Sequence, residues 1–139
     1  MLNFNRFFSQ GLRNTLRVLN GANFSYKGPW VQVYEDTVVD EWYVGEFMSA
    51  EYTISVDYGT FNKEIIKCLV VAAPSTANVV IYGRANLVEN LVELTATVDN
   101  SKVRLIANPA TSQDGSTTYP GSKLIFSANY YYTQNELSV

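Results

Sequence analysis

The sequence predicts a mainly β protein, an antiparallel β-sandwich of about seven or eight strands with an amphipathic helix at its N-terminal side. Three observations carry that expectation. Apolar and polar residues alternate with period two over 48–57, 91–98, 102–108 and 123–133, as in strands with one buried face. Gly, Asn, Asp and Pro clusters punctuate these stretches at spacings suited to two packed sheets. Before them, Phe4, Phe8, Leu12, Leu16 and Leu19 recur at helical steps, forming one apolar stripe.

Residues 3–20 therefore read as a helix, capped by Asn3 and stopped by Asn20-Gly21. Phe7 and Val18 widen its stripe, and Arg6, Arg13 and Arg17 fall mostly off it. Gly11 costs this helix about 1 kcal/mol relative to Ala. The stripe can cover a face of its own sheet or pack on another subunit. The aromatic content and the Gly- and Pro-containing stretch 21–29, which reads as a linker, favour the second. The division is then an arm over 1–29 and a β domain over 30–139.

Within the domain, 30–34 and 38–44 are short strand candidates. Met48, Ala50, Tyr52, Ile54 and Val56 mark one face of the next strand, which ends in the turn Asp57-Tyr58-Gly59-Thr60. Residues 63–73 are almost continuously apolar, as a strand covered on both faces would be. A strand over 78–84 and a short connection at Leu87-Val88 follow. Val92, Leu94, Ala96 and Val98 face Val103, Leu105 and Ala107 across a hairpin turned by Asp99-Asn100-Ser101. The loop 108–122 is rich in Pro, Ser, Thr and Gly. Leu124, Phe126, Ala128, Tyr130 and Tyr132 share the inner face of the last strand, which sends Tyr131 to the other side.

Composition narrows the function. The chain holds no histidine and one cysteine, so Ser-His-Asp and Cys-His sites and an internal disulfide framework are excluded. Cys68 sits in an apolar run and reads as a buried small hydrophobe. Asp40-Glu41 and Glu35-Asp36 are adjacent carboxylates whose side chains would point to opposite faces, which makes poor acid–base pairs. Asp57-Tyr58-Gly59 and Asp114-Gly115 are ordinary turns before they are Ca²⁺ loops. Catalytic, cofactor and metal sites are all expected to be absent. A net charge of −3 offers no general attraction to nucleic acid or to anionic membranes. Neither a signal-peptide h-region nor a membrane-spanning apolar stretch is present, which points to assembly in a cytoplasm.

Charge is unevenly distributed. Arg6, Arg13, Arg17 and Lys27 precede the first acid, and then Glu35, Asp36, Asp40, Glu41, Glu46, Glu51 and Asp57 precede the next base, Lys63. A basic arm beside an acidic entry to the β domain suggests assembly, with the arm pairing to acids of its own chain or of another copy. Phe4, Phe7, Phe8, Leu12, Arg13, Leu16 and Arg17 are the expected interface residues. Trp30, Trp42 and Tyr131 are candidate glycan or partner contacts, because amphipathic aromatics suit both uses.

Three stretches look familiar together: Ser49-Ala50-Glu51-Tyr52-Thr53-Ile54-Ser55-Val56-Asp57, then Val79-Val80-Ile81-Tyr82-Gly83, then Leu94-Thr95-Ala96-Thr97-Val98-Asp99-Asn100-Ser101-Lys102-Val103-Arg104-Leu105 leading into Asn108-Pro109. From Trp42 onward the chain resembles a small β-sandwich module of tailed-phage virion proteins, particularly of contractile-tailed cyanophages. The resemblance implies a non-enzymatic tail-region component of the virion, in a baseplate, fibre-attachment or neck position. Its implied partners are other virion proteins and further copies of itself, as a trimer or higher oligomer. It maps no catalytic residue and does not extend over residues 1–34. Capsid decoration and a carbohydrate- or receptor-binding module are the alternative expectations.

Overall fold

The computed structural model describes residues 23–133. They contain β1 (Asn23–Lys27), β2 (Val31–Val33), β3 (Thr37–Tyr43), β4 (Phe47–Tyr58), β5 (Asn62–Ala73), β6 (Thr76–Asn86), β7 (Val92–Asp99), β8 (Lys102–Pro109) and β9 (Ser122–Tyr132). Every pairing is antiparallel. The large sheet has the order β1-β9-β4-β5-β6, with β2 also on β9, and the small sheet has the order β3-β8-β7. The helix predicted over 3–20, with its stripe and arginines, lies outside the described residues.

Local chemistry accounts for the hairpins. Asn100 and Ser101 have φ of 52° and 65°, the paired left-handed residues of a two-residue turn whose twist matches its strands. Gly59 has φ of 70° and closes β4 onto β5. The 110–121 connection between β8 and β9 is held by a bond to the segment before β7 and by bonds of its own. Ala110 N–H donates to Leu91 O at 3.0 Å, and Ser112 N–H donates to Thr117 O at 2.7 Å.

The two sheets share one core. Trp42 and Val39 come from β3, Phe47, Tyr52 and Ile54 from β4, Ile66, Cys68 and Val70 from β5, Val103 and Leu105 from β8, and Leu124, Phe126 and Tyr130 from β9. A bulge between Val38 and Asp40 turns both Val39 and Asp40 inward, since a bulge breaks the period of two. Asp40 Oδ2 then accepts hydrogen bonds from Tyr52 at 2.7 Å and Tyr130 at 2.6 Å. Trp42 Nε1–H donates to the Tyr52 hydroxyl at 3.0 Å. This buried network joins β3 of the small sheet to β4 and β9 of the large one. Burial, and then the nearby Asp40 carboxyl, raise the Tyr52 pKa well above the usual phenol value.

Two sequence expectations require correction. Residues 23–27 are not a linker: Asn23 pairs with Tyr131 and Lys27 with Ser127. Gly28 and Pro29 separate two short strands on one long edge. Gly28 N–H continues the ladder to Phe126 O at 3.0 Å. A side chain at Gly28 would fall on the buried Phe126 ring, so glycine serves close approach here.

The second correction concerns β5. Its inner residues Glu64, Ile66, Cys68 and Val70 are buried, while its outer residues Lys63, Ile65, Lys67, Leu69 and Val71 are exposed. The small sheet covers only one face of the large sheet, and no third layer covers the other among the described residues.

Candidate functional site

Residues separated in sequence meet on the outer face of the large sheet. Register places Asn129, Glu51, Leu69 and Val80 in one cross-strand row, and Tyr131, Ser49, Val71 and Asn78 in the next. Over β1, β9 and β4 this face is rich in small polar residues: Ser25, Ser127, Asn129, Ser49, Thr53 and Ser55. Over β5 and β6 it becomes apolar. Ile65, Leu69, Val71, Val80 and Tyr82 keep 47–57% of their surface exposed. A bulge between Lys67 and Cys68 in the β5–β6 register sets Tyr82 between Ile81 and Gly83. The Tyr82 hydroxyl donates to Glu51 at 3.1 Å, which ties the apolar half to the polar half.

The foundation beneath the apolar half is ionic. Glu64 points inward from β5 and accepts from Leu91 N–H and Asn86 Nδ2, both at 3.1 Å. Arg84 lies 3.4 Å from the same carboxylate and donates to Val92 O at 2.9 Å. A buried carboxylate needs such partners. Together they fasten β5, β6 and the connection into β7.

A second surface lies at the β2 side of the large sheet. Trp30, Val31, Gln32, Asp57 and Lys123 line an open cleft of about 470 Å³. Asp57 and Lys123 continue into a neighbouring hollow with Tyr58, Gly59, Thr60, Lys63 and Gly121. Trp30 is 58% exposed. Asp57 forms an ion pair with Lys63. The cleft therefore offers one aromatic face, an amide and charges of both signs, the inventory that orients a polar ligand.

The three aromatic candidates separate. Trp30 lines the cleft. Tyr131 is 38% exposed on the outer face, away from the cleft residues. Trp42 is 1% exposed and committed to the Tyr52 network, so its ring is not a surface contact. Phe4, Phe7, Phe8, Leu12, Arg13, Leu16 and Arg17 lie outside the described residues.

The acidic run does not form an acidic face. Asp40 is in the core, and Glu46 is buried too. Glu41 pairs with Arg104 at 2.9 Å and Lys102 at 3.6 Å, Asp57 pairs with Lys63, and Glu51 receives Tyr82. Glu35 and Asp36 are exposed on the β2–β3 connection. Strand alternation and the bulge scatter consecutive acids over different surfaces.

Among the described residues no group of three His, Cys, Asp or Glu side chains is placed to hold a metal. Burial pushes the Cys68 thiol up to about 12. The Tyr119 hydroxyl bonds to Glu89, and that bond raises its pKa to about 12. Hydrogen bonds from Ser116 and Ser112 lower Asp114 to about 2, which reflects an ordered turn.

No family model and no curated protein matches this sequence. Solved structures do. The body is similar to part of the tailspike protein of Acinetobacter baumannii phage AM24, with a TM-score of 0.50 and 10% identity. That likeness covers 80% of this chain and 26% of the tailspike chain, so this chain spans about a quarter of that protein. The tailspike protein of Acinetobacter phage vB_ApiP_P1 is also similar, with a TM-score of 0.39 and 12% identity over 80% of this chain and 22% of that one. The AM24 likeness shows a β fold shared with a phage tail protein.

Proposed function

We propose that this chain is a non-enzymatic structural component of a tailed-phage particle. Its β body serves as a tail-region module, and its N-terminal arm attaches it to a neighbour. The observation that carries this reading is the fold likeness to the AM24 tailspike, which spans 80% of the chain. The sequence resemblance to virion β modules over the same body points the same way. The position, in a baseplate, fibre attachment or neck, and the trimeric or higher assembly are part of this proposal. Mass spectrometry of purified particles would detect the chain at a fixed stoichiometry, and tagged particles would carry label at the tail. Label on the head would replace this reading by capsid decoration, and absence from particles would end it. Deleting residues 1–20 should leave a folded body that no longer incorporates; normal incorporation would remove the arm from the proposal.

A second reading rests on the Trp30 cleft. An exposed indole beside Gln32, Asp57 and Lys123 suits a saccharide, whose ring can lie on the aromatic face while its hydroxyls meet the polar groups. Binding on a glycan array that Trp30→Ala abolishes without unfolding supports it. Silence across the array opposes it.

A further inference from the structure

Among the described residues nothing covers the apolar outer face of β5–β6, and the arm is an apolar stripe without a described partner. We propose that this face receives the stripe of residues 4–19 from a second copy of the chain. The proposal rests on the reading of 3–20 as an assembly helix and names the surface on which that helix lands.

Dimensions favour the match. From Ile65 to Val71 the apolar row on β5 runs about 20 Å at about 3.4 Å per residue. From Phe4 to Leu19 the helical stripe runs about 22 Å at 1.5 Å per residue. A helix laid along β5 and β6 covers Ile65, Leu69, Val71, Val80 and Tyr82 together. Its stripe then finds mostly apolar ground, interrupted by Lys67 and Asn78, and such ground is what an amphipathic helix needs for stability.

The same lengths decide whose arm it is. Leu19 and Asn23 are joined by a connection that reaches about 14 Å at full extension. Asn23 sits on β1, at the far side of the large sheet. The line between β5 and β6 is three and a half strand spacings away, or about 17 Å, before any height above the sheet is added. With 3–20 read as a helix that runs to Leu19, the chain's own stripe falls short of the β5–β6 line. Laid crosswise instead, it would set Leu12, Leu16 and Leu19 over the Ser-, Thr- and Asn-rich half. An arm from another copy starts from that copy's own β1, which assembly can bring beside this face.

One acid lies at the border of this placement, while Lys63 and Lys67 share the outer face. Glu51 borders the patch, and Arg13 and Arg17 border the stripe. Lys67 stands between Ile65 and Leu69 on the outer face, where its stem can lie along the helix while its ammonium stays in water. Each copy gives one arm and receives one. Reciprocal exchange closes a dimer, and head-to-tail exchange closes a ring.

Analytical ultracentrifugation of the full chain tests this with two double variants, each checked for native circular dichroism. Leu69→Asp with Val80→Asp spoils the face; Phe8→Asp with Leu12→Asp spoils the arm. We expect the natural chain to associate and each variant to weaken association at least about tenfold. An equimolar mixture should recover heterodimers, because one variant keeps its arm and the other its face. A mixture that stays monomeric overturns the arm-to-face contact. If only the arm variant dissociates, the arm reading survives and the receiving face is wrong. If the arm variant associates normally, the arm reading itself fails. A natural chain that is monomeric throughout overturns the second copy as occupant, and trypsin resistance at Arg13 and Arg17 would then assign the stripe to its own chain.

Discussion

Ile66, Cys68 and Val70 leave β5 toward the small sheet and are buried, whereas Ile65, Leu69 and Val71 leave the same strand in the opposite direction and stay about half exposed. The two sets have similar composition and are interleaved in sequence. One set has a covering sheet, and the other has none among the described residues. Burial on the inner side contributes roughly 1.5–3 kcal/mol per large aliphatic side chain. The outer side has about half of that contribution still available for a partner. An apolar run thus measures the capacity for contact and leaves open where the contact is made.

The largest expected contrast is chemical. With its pKa raised from 9.0 to about 12 by burial, Cys68 should be alkylated at pH 8 at least about a thousandfold more slowly in the native protein than in urea. Because the folded-state value is the higher one, the linked stability is complete below the unfolded value and is lost as pH rises toward about 12. Rapid native labelling would mean that the inner face opens readily, and the contrast between faces would collapse.

Truncating the inner face comes next. Ile66→Ala should cost about 2–4 kcal/mol in urea unfolding, and a loss under 1 kcal/mol (about a fivefold change in equilibrium) would contradict its packing. Asp40→Ala should cost about 2–3 kcal/mol, because two buried tyrosine hydroxyls lose a charged acceptor; Asp40→Asn should recover part of that loss. On the outer face, Leu69→Ser should change the stability of the isolated copy by no more than about 0.5 kcal/mol. A loss comparable to that of Ile66→Ala would mean that Leu69 is already covered within one chain.

Much of the body was legible because period-two patterning specifies a face directly. The inner positions of β4, β7, β8 and β9 follow from Tyr52, Leu94, Val103 and Phe126 and their alternating neighbours, and the turn at Asn100-Ser101 follows from the turn-forming run Asp99-Asn100-Ser101, in which Asn100 tolerates positive φ. β5 misled because both parities are apolar. Lys63 and Lys67 on one parity were the available sign that this side meets water. β1 was obscured by Gly28 and Pro29, which read as a linker but separate two strands on the β9 edge. The Asp40–Tyr130 bond spans 90 residues, and its β3 partner depends on a bulge; neither leaves a local pattern. Trp42 and Trp30 differ in burial for the same reason, since position in a sheet and not residue type decides exposure.

The pairing of Asn23 with Tyr131 has a mechanical consequence. The body is entered along β1 and left along β9 at the same end of neighbouring antiparallel strands. A pull applied through both flanking segments would open β1 from β9 one residue pair at a time, like a zipper, instead of shearing all five registered pairs together. Such a body yields at low force when tugged by its ends. A particle built with it would carry stress more safely across the broad faces of its sheets than along its chain.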